Sequence, residues 1–197
     1  MAKDRLIVGI SGASGAVYGI RALETLRAAG IETHLVLTKT AAMTIAYETD
    51  LTLAQVKKLA DVVHANEDLG AAVSSGSFKT LGMIVAPCSM RSVAEIAYGN
   101  TTTLLTRAAD VQLKERRRVV LLAREAPLHL GHLRALSQAA EIGAVIVPPV
   151  PAFYSRPKTI DDIVNHTVGR ALDLFGIETK LVKRWGEDSG PKARKKR

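Results

Sequence analysis

The sequence has one cysteine, few aromatic residues and no long apolar run. The single cysteine, Cys88, excludes an internal disulfide framework and suits a reducing compartment. No apolar stretch is long enough to span a bilayer, and no signal-like segment follows the first charges. An aromatic content of 4%, without interleaved basic residues, argues against a base-stacking surface. We therefore expect a cytoplasmic protein with neither a membrane nor a nucleic acid as its partner.

The formal charge of +8 is concentrated at one end of the chain. Residues 180–197 hold eight of the 27 Lys and Arg residues but only two of the 19 acidic ones, which leaves 19 basic and 17 acidic residues elsewhere. Because residues 187–197 are rich in Lys and Arg and contain no large apolar residue, we expect a basic, disordered tail there. Residues 1–186 have the length of one globular domain.

A glycine loop, GISGASG at 9–15, follows the apolar run Leu6–Val8 and precedes a helical pattern at 16–29. Its three glycines allow a sharp turn and close approach to a ligand, and the helix N-terminus presents unpaired N–H groups to an anion. Ser11 and Ser14 add hydroxyl donors. The spacing is neither that of a nucleoside-triphosphate P-loop nor a full dinucleotide fingerprint, so both ligand classes are disfavoured.

Strands alternate with helices along the rest of the chain. Apolar runs predict strands at 32–37, 82–86, 119–123 and 143–147, and helices at 40–47, 53–59, 101–113, 129–142 and 160–175. This order predicts an α/β, Rossmann- or flavodoxin-like three-layer fold with an open, mostly parallel sheet in a single domain. Ligands bind outside the carboxyl ends of such strands, which here are followed by Ser11–Gly15, Thr38, Ser89–Ser92, Arg124–Glu125 and Tyr154.

The sequence gives less support to a nicotinamide cofactor, a cysteine nucleophile or a metal site. No acidic residue follows the second predicted strand, where a nicotinamide cofactor would need one, although Lys39 leaves an NADP site open. Cys88 lies near a predicted helix N-terminus but has no histidine beside it in sequence, which favours a packed side chain over a nucleophile. His129 and His132 lie three apart on a predicted helix without an evident third ligand, so we expect no metal site.

Six segments, in this order and spacing, resemble the UbiX-type flavin prenyltransferase family: GISGASGAVYG, SSGSF, PCSM, TRAADVQLKERR, REAPL and PPVPAFYSRP. The resemblance covers about residues 5–186. It implies a homododecameric flavoprotein with FMN between subunits, which joins a dimethylallyl group from dimethylallyl phosphate to N5 and C6 of reduced FMN without a metal. The product, prenylated FMN, is then the cofactor of a UbiD-type decarboxylase, in ubiquinone synthesis or elsewhere.

The resemblance also implies the site residues. Nine positions match flavin-binding residues: Gly12, Ala13, Ser14, Thr38, Ser89, Met90, Arg91, Ser92 and Arg124. Six match the prenyl-phosphate pocket or its C-terminal lid: Tyr154, Arg170, Arg107, Lys114, Glu125 and Trp185. Glu48 matches a carboxylate that assists proton movement, and it forms the predicted catalytic set with Ser14, Glu125 and Lys114. From the residues alone, Glu48 is typical of a surface acid and Lys114 of a solvated helix end.

Two further functions stay open at this point. An FMN-dependent cysteine decarboxylase of the homo-oligomeric flavin-containing type would share the fold, although that family's catalytic histidine and PASANT-type segment have no counterpart where PCSM stands. A non-enzymatic flavin-binding protein would need the glycine loop but not Lys114, Glu125 and Tyr154 together. The colour of the purified protein and the mass of its bound flavin would distinguish all three functions.

Overall fold

The computed structural model describes residues 4–190, which form one sheet flanked by helices on both faces. The strands are β1 (Arg5–Ile10), β2 (Glu32–Leu37), β3 (Val62–His64), β4 (Gly82–Cys88), β5 (Arg118–Ala123) and β6 (Val145–Ile146). The helices are α1 (Ala16–Ala28), α2 (Lys39–Glu48), α3 (Leu53–Lys57), α4 (Met90–Ala97), α5 (Leu104–Lys114), α6 (Leu130–Glu141) and α7 (Ile160–Asp173), with 3-10 turns at Ala72–Ser74 and Phe153–Ser155.

The strand order is β3-β2-β1-β4-β5-β6, and every neighbouring pair is parallel. Side chains alternate between the two faces of β1, so that Leu6, Val8 and Ile10 belong to one core and Ile7 to the other. The first core is covered by α1, α2 and α7, and the second by α4, α5 and α6. This arrangement confirms the predicted three-layer α/β fold.

Most predicted elements occur with ends shifted by a few residues. β2 spans the predicted 32–37, whereas α5 begins at Leu104 because the Thr103 side chain caps it by accepting a hydrogen bond from the Thr106 backbone N–H. The sequence prediction missed β3. Val62 and Val63 are 37% and 40% exposed in this three-residue edge strand, which therefore lacks the buried pattern that identifies the other strands.

The first helix packs unusually close to the sheet because Gly19 faces β4. A Cβ atom at Gly19 would lie 2.3 Å from the Ala86 carbonyl oxygen, a distance that no side chain can adopt. Gly15 precedes the helix with φ +105°, in the left-handed region that favours glycine. Gly15 therefore allows the turn before α1, and Gly19 lets α1 lie against β4.

The C-terminal segment returns along α7. Residues 187–190, the first part of the predicted tail, form a turn in which the Asp188 and Ser189 backbone N–H groups donate to the Arg184 carbonyl. The rest of the predicted tail, 191–197, lies outside the described residues. Within residues 4–190, the structure contains no helix with the length and apolar character needed to cross a membrane.

Candidate functional site

Two loops are joined at the carboxyl edge of the sheet by Ser11, which is fully buried. Its hydroxyl donates to the Pro87 carbonyl at 3.0 Å and accepts from the Ser89 backbone N–H at 2.7 Å. Ser11 was expected to offer its hydroxyl to an anion. The structure instead uses that hydroxyl to fix the β1–α1 loop against the β4–α4 loop, so the expectation for Ser11 was wrong.

A cavity of about 260 Å³ lies between these loops and the β2–α2 connection. Five of the predicted flavin-binding residues line it: Gly12, Thr38, Ser89, Arg91 and Ser92. Two helices begin at its wall. Thr38 caps α2 by accepting from the Ala41 N–H, and Ser89 caps α4 by accepting from the Ser92 N–H. The cavity thus receives two helix N-termini, each of which favours negative charge.

The donors around this cavity suit the phosphate of FMN. Hydroxyl groups and helix N-terminal amides bind a phosphate through its acceptor oxygens. Gly12 packs closely against Thr40 at the wall of this cavity, since a Cβ atom there would lie 2.2 Å from Thr40 Oγ1. The Thr38 and Thr40 hydroxyl groups also form a hydrogen bond, with 3.1 Å between their oxygens. The residues present therefore fit the group that the resemblance implies.

The N-terminus of α1 has a different partner, the carboxylate of Glu48. Its Oε2 accepts from the Gly15 N–H at 2.8 Å and from the Ala16 N–H at 3.0 Å. The sequence predicted that this helix end would bind a ligand anion. In the structure the anion is a side chain from the end of α2, and the helix N-termini at the cavity include those of α2 and α4.

Glu48 is held in its charged form. Burial raises the pKa of this carboxyl, but hydrogen bonds from Gly15, Ser14 and Ala16 and the positive charge of Arg124 together outweigh burial, and the pKa lies below its usual value. Arg124 itself is anchored through its backbone N–H, which donates to the Cys88 carbonyl at 3.0 Å. The structure thus brings three predicted site residues, Ser14, Glu48 and Arg124, to one place.

Met90 and Arg91, in the first turn of α4, differ in the exposure of their side chains. The Met90 side chain is buried in the second core, so a contact of Met90 with a ligand would come from its backbone. Arg91 is exposed and pairs with Glu95 at 2.8 Å one turn later. Ala13 lies in the glycine loop between Gly12 and Ser14, where it is half-buried.

A second cluster forms around Tyr154, in the 3-10 turn that follows β6. The Tyr154 ring contacts the edge or face of two other rings, His166 at a centroid distance of 5.6 Å and Trp185 at 5.3 Å. Its hydroxyl lies 3.3 Å from His166 Nε2. Trp185 is 61% exposed and contacts a phenol ring that is itself 43% exposed, so the two rings meet at the protein surface.

Arg170 lies one turn after His166 on the same face of α7 and pairs with Asp173 at 2.8 Å. Arg184 donates hydrogen bonds to the same carboxylate from both terminal guanidinium nitrogens, at 3.0 and 3.1 Å. These three side chains tie the C-terminal segment to α7 directly before Trp185. Arg170 is half-exposed and can still reach an outside anion, because Asp173 retains Arg184 as a partner.

The other predicted prenyl-phosphate residues lie elsewhere on the protomer. Arg107 pairs with Asp110 at 3.0 Å, and Lys114, about 10 Å further along α5, pairs with Glu115 at 2.6 Å. The Glu125 carboxylate accepts from the Ala126 N–H. Among residues 4–190, no hydrogen bond or ion pair connects Arg107, Lys114 or Glu125 with Tyr154 or Arg170. Lys114 lines a cavity with Arg118, the first residue of β5, whereas Tyr154 lines another cavity with Trp185, so parts of the predicted site lie apart on one protomer.

The surroundings of Cys88 and of the pair His129 and His132 indicate structural roles. Cys88 is fully buried, and burial raises the pKa of its thiol, which disfavours the reactive thiolate. His129 caps α6 by accepting from the His132 N–H, and the two rings stack at 3.6 Å. No group of three or more His, Cys, Asp or Glu side chains in residues 4–190 is arranged to hold a metal.

Three residues near the site were not predicted from the sequence. Asn66 lines the 260 Å³ cavity and accepts from the Leu104 and Leu105 N–H groups at the start of α5. His166 lies within hydrogen-bond distance of Tyr154, and Arg184 forms an ion pair with Asp173. These contacts join segments that are far apart in sequence, and no local pattern marks the residues.

Known proteins share this chain's fold and sequence over nearly its whole length. A family model described as Flavoprotein matches residues 1–172. Flavin prenyltransferase UbiX of Escherichia coli (strain K12) is 59% identical over 184 residues, which cover 92% of this chain and 97% of the relative. The crystal structure of AnUbiX (PadA1) in complex with FMN and dimethylallyl pyrophosphate is 50% identical with a TM-score of 0.92, and the match covers 93% and 98% of the two chains.

A third match is a dodecameric FMN-dependent UbiX-like decarboxylase from Escherichia coli O157:H7, 49% identical with a TM-score of 0.90. It covers 92% of this chain and 98% of the other. The resemblance found in six short segments thus extends over nearly the whole chain. The chain is a flavoprotein and belongs to the UbiX-type flavin prenyltransferase family.

Proposed function

We propose that this protein transfers a dimethylallyl group from dimethylallyl phosphate to N5 and C6 of reduced FMN and releases prenylated FMN. The observation that carries the proposal is 50% identity, over 93% of the chain, with a protein whose crystal structure holds both FMN and dimethylallyl pyrophosphate. The cavity at Gly12, Thr38 and Ser89 supports it, because its donors suit a flavin phosphate.

Reduced FMN, when bound, supplies the nucleophilic nitrogen and carbon. The chain's own contribution is to stabilise charge on the leaving phosphate, for which Arg170, Lys114 and Arg107 provide cations and Tyr154 a hydroxyl. Trp185 excludes water from the pocket, which strengthens these interactions. Glu48, charged and next to Arg124, accepts or returns a proton at its carboxylate, and Ser14 orients that carboxylate through its hydroxyl.

We further propose that the complete site forms between protomers of a dodecamer. Large apolar side chains are unusually exposed on the single chain, including Tyr47 at 83%, Ile160 at 79% and Phe153 at 74%. Exposed apolar surface of this kind is typical of an interface. The separate positions of Lys114 and Glu48 on one protomer agree with a site that draws residues from neighbours, and the dodecameric relative supports the stoichiometry.

A subunit-mixing experiment tests the composite site. Glu48→Gln and Lys114→Ala homo-oligomers should each be weakly active with dimethylallyl phosphate. If the two residues serve one site from different subunits, co-assembled mixtures will contain some intact sites and recover part of the wild-type activity. Mixtures no more active than their components would show that both residues act within one protomer. Light scattering of the wild type should give twelve times the mass of one chain.

We also propose that a UbiD-type decarboxylase receives the product, and that both proteins work in the cytoplasm. The proposal is supported by the chemistry of a modified flavin, which serves only as a cofactor of another enzyme, and by the single reduced cysteine. Addition of the reaction mixture to a cofactor-free UbiD-type enzyme should restore decarboxylation. The same mixture without dimethylallyl phosphate should not restore it.

A further inference from the structure

Tyr154 depends on His166, a residue that the proposed chemistry has not yet used. His166 is 7% exposed, and its Nε2 lies 3.3 Å from the Tyr154 hydroxyl oxygen. The rings meet edge to face at 83°, and Trp185 contacts the phenol ring at 90°. The ring of Tyr154 is therefore fixed by two aromatic neighbours, whereas the direction of its O–H bond depends on His166.

A phenol hydroxyl has one proton to donate. His166 also donates a hydrogen bond to the Lys183 backbone carbonyl, and because Nε2 faces Tyr154, the proton of the neutral ring lies on Nδ1. Nε2 of the neutral ring then accepts the Tyr154 hydrogen bond, and the Tyr154 oxygen offers only lone pairs to a ligand. If the imidazole is doubly protonated, Nε2 donates to the Tyr154 oxygen, and the Tyr154 O–H is free to donate elsewhere. A phosphate oxygen accepts hydrogen bonds and is served by the second arrangement only.

Several charged groups around His166 bear on this choice. Burial lowers the pKa of His166, and the cations of Arg170 and Lys183 lower it further, whereas the Lys183 backbone carbonyl and Asp173 raise it. The net pKa lies below the usual value. Asp162 and Lys180 line the cavity of about 190 Å³ that His166 also borders. Without ligand, His166 is therefore neutral at pH 7, and an added phosphate dianion favours its charged form.

We propose that His166 is a positioning residue that sets the direction of the Tyr154 hydrogen bond, and that its protonation turns the Tyr154 O–H toward the prenyl phosphate. The inference rests on the proposed function, because it requires Tyr154 to contact that phosphate. His166 itself does not need to touch the substrate. Its effect is on substrate binding through Tyr154 and not on the flavin cavity, to which the structure shows no contact from His166 within the described chain.

Two variants separate the hydrogen bond from the charge. His166→Gln keeps an N–H donor near the Nε2 position but does not titrate, whereas His166→Leu keeps bulk and removes the hydrogen bond. At the acid end of the pH range, where protonated His166 orients Tyr154, we expect His166→Leu to raise the KM for dimethylallyl phosphate about three- to tenfold, with kcat and FMN affinity near wild type. His166→Gln should keep a low KM at high pH.

The pH profile gives a readout that a structural role would not move. Between about pH 5 and 8, the wild-type KM should fall with falling pH through the titration of His166, in addition to the titration of the substrate phosphate. The His166→Gln profile should contain the substrate component alone. Identical profiles for wild type and His166→Gln would overturn the proposal, whether or not His166→Leu folds well.

Tyr154→Phe completes the experiment. In that background His166→Leu should have no further effect on KM, because the two residues act through one hydrogen bond. An equal effect of His166→Leu in both backgrounds would overturn the proposal. If Tyr154→Phe raises KM but His166→Leu does not, the His166 inference fails and the phosphate role of Tyr154 stands. If Tyr154→Phe leaves KM unchanged, the phosphate role fails and the inference falls with it.

Discussion

Replacing Glu48 by Gln separates the two uses of this carboxylate. One oxygen of Glu48 accepts both the Gly15 and the Ala16 N–H groups, so it caps α1 in the folded chain. Gln keeps an acceptor oxygen for these amides but loses the negative charge. The variant therefore preserves most of the cap and removes the ability to carry a proton.

The expected magnitudes differ enough to be told apart. Loss of the charge at a helix N-terminus costs about 0.3–1 kcal/mol, which lowers Tm by about 1–4 °C in a chain of this size. Loss of a proton-transfer group lowers the rate on the order of 10²- to 10⁴-fold. FMN affinity should stay near wild type, because Glu48 does not line the cavity at Gly12 and Thr38.

The assay is turnover at saturating dimethylallyl phosphate, with Tm and FMN affinity measured on the same preparations. Glu24→Gln is the matched control, since Glu24 pairs with Arg21 on α1 away from the cavity. Wild-type turnover in Glu48→Gln, or a loss no larger than its loss of bound FMN, would refute the proton-transfer role and leave only the cap.

Four further outcomes are expected. The stability that Glu48 adds over Gln should be present above its ordinary pKa and lost as pH falls through its lowered folded pKa; a difference that grows in acid would contradict this. Arg170→Ala should cost roughly 1.5–3 kcal/mol of prenyl-phosphate binding, on the order of 10- to 150-fold in efficiency, with stability unchanged because Asp173 keeps Arg184; equal losses in FMN affinity would indicate a folding defect. Gly12→Ala should weaken FMN binding at least about tenfold by displacing Thr40, as fluorescence titration would show, and wild-type affinity would contradict the close packing there. Added EDTA should leave turnover unchanged, and its loss on chelation would contradict a metal-independent reaction.

The layered fold could be predicted because its signals are local. β2 is an apolar run bounded by polar residues, and Thr38 and Ser89 are caps that follow strands directly, so their place at the carboxyl edge follows from the order of elements. β3 escaped prediction because an exposed, three-residue edge strand has no buried pattern. β3 is defined by its backbone pairing with β2, a contact that its own sequence does not reveal.

The site was harder to predict because its contacts span long distances in sequence. Glu48 meets Gly15 across 33 residues, and Ser11 meets Ser89 across 78. Only the family resemblance pointed to Glu48, and nothing in the sequence distinguished the Ser11 hydroxyl as a structural one. His166 was missed although its partner Tyr154 lies only 12 residues earlier, in the 3-10 turn before α7, because no local pattern joins that turn to the helix.

The proposed reaction forms two bonds between one prenyl group and reduced FMN, one to N5 and one to C6. Dimethylallyl phosphate labelled with carbon-13 at C1 should be incubated with reduced FMN and the wild-type protein, without added metal, and the flavin examined by mass spectrometry and NMR. We expect a flavin heavier by one five-carbon unit, with the labelled carbon bonded to N5 and C3 of the prenyl group bonded to C6. Recovery of unmodified FMN with intact dimethylallyl phosphate would contradict the proposed reaction.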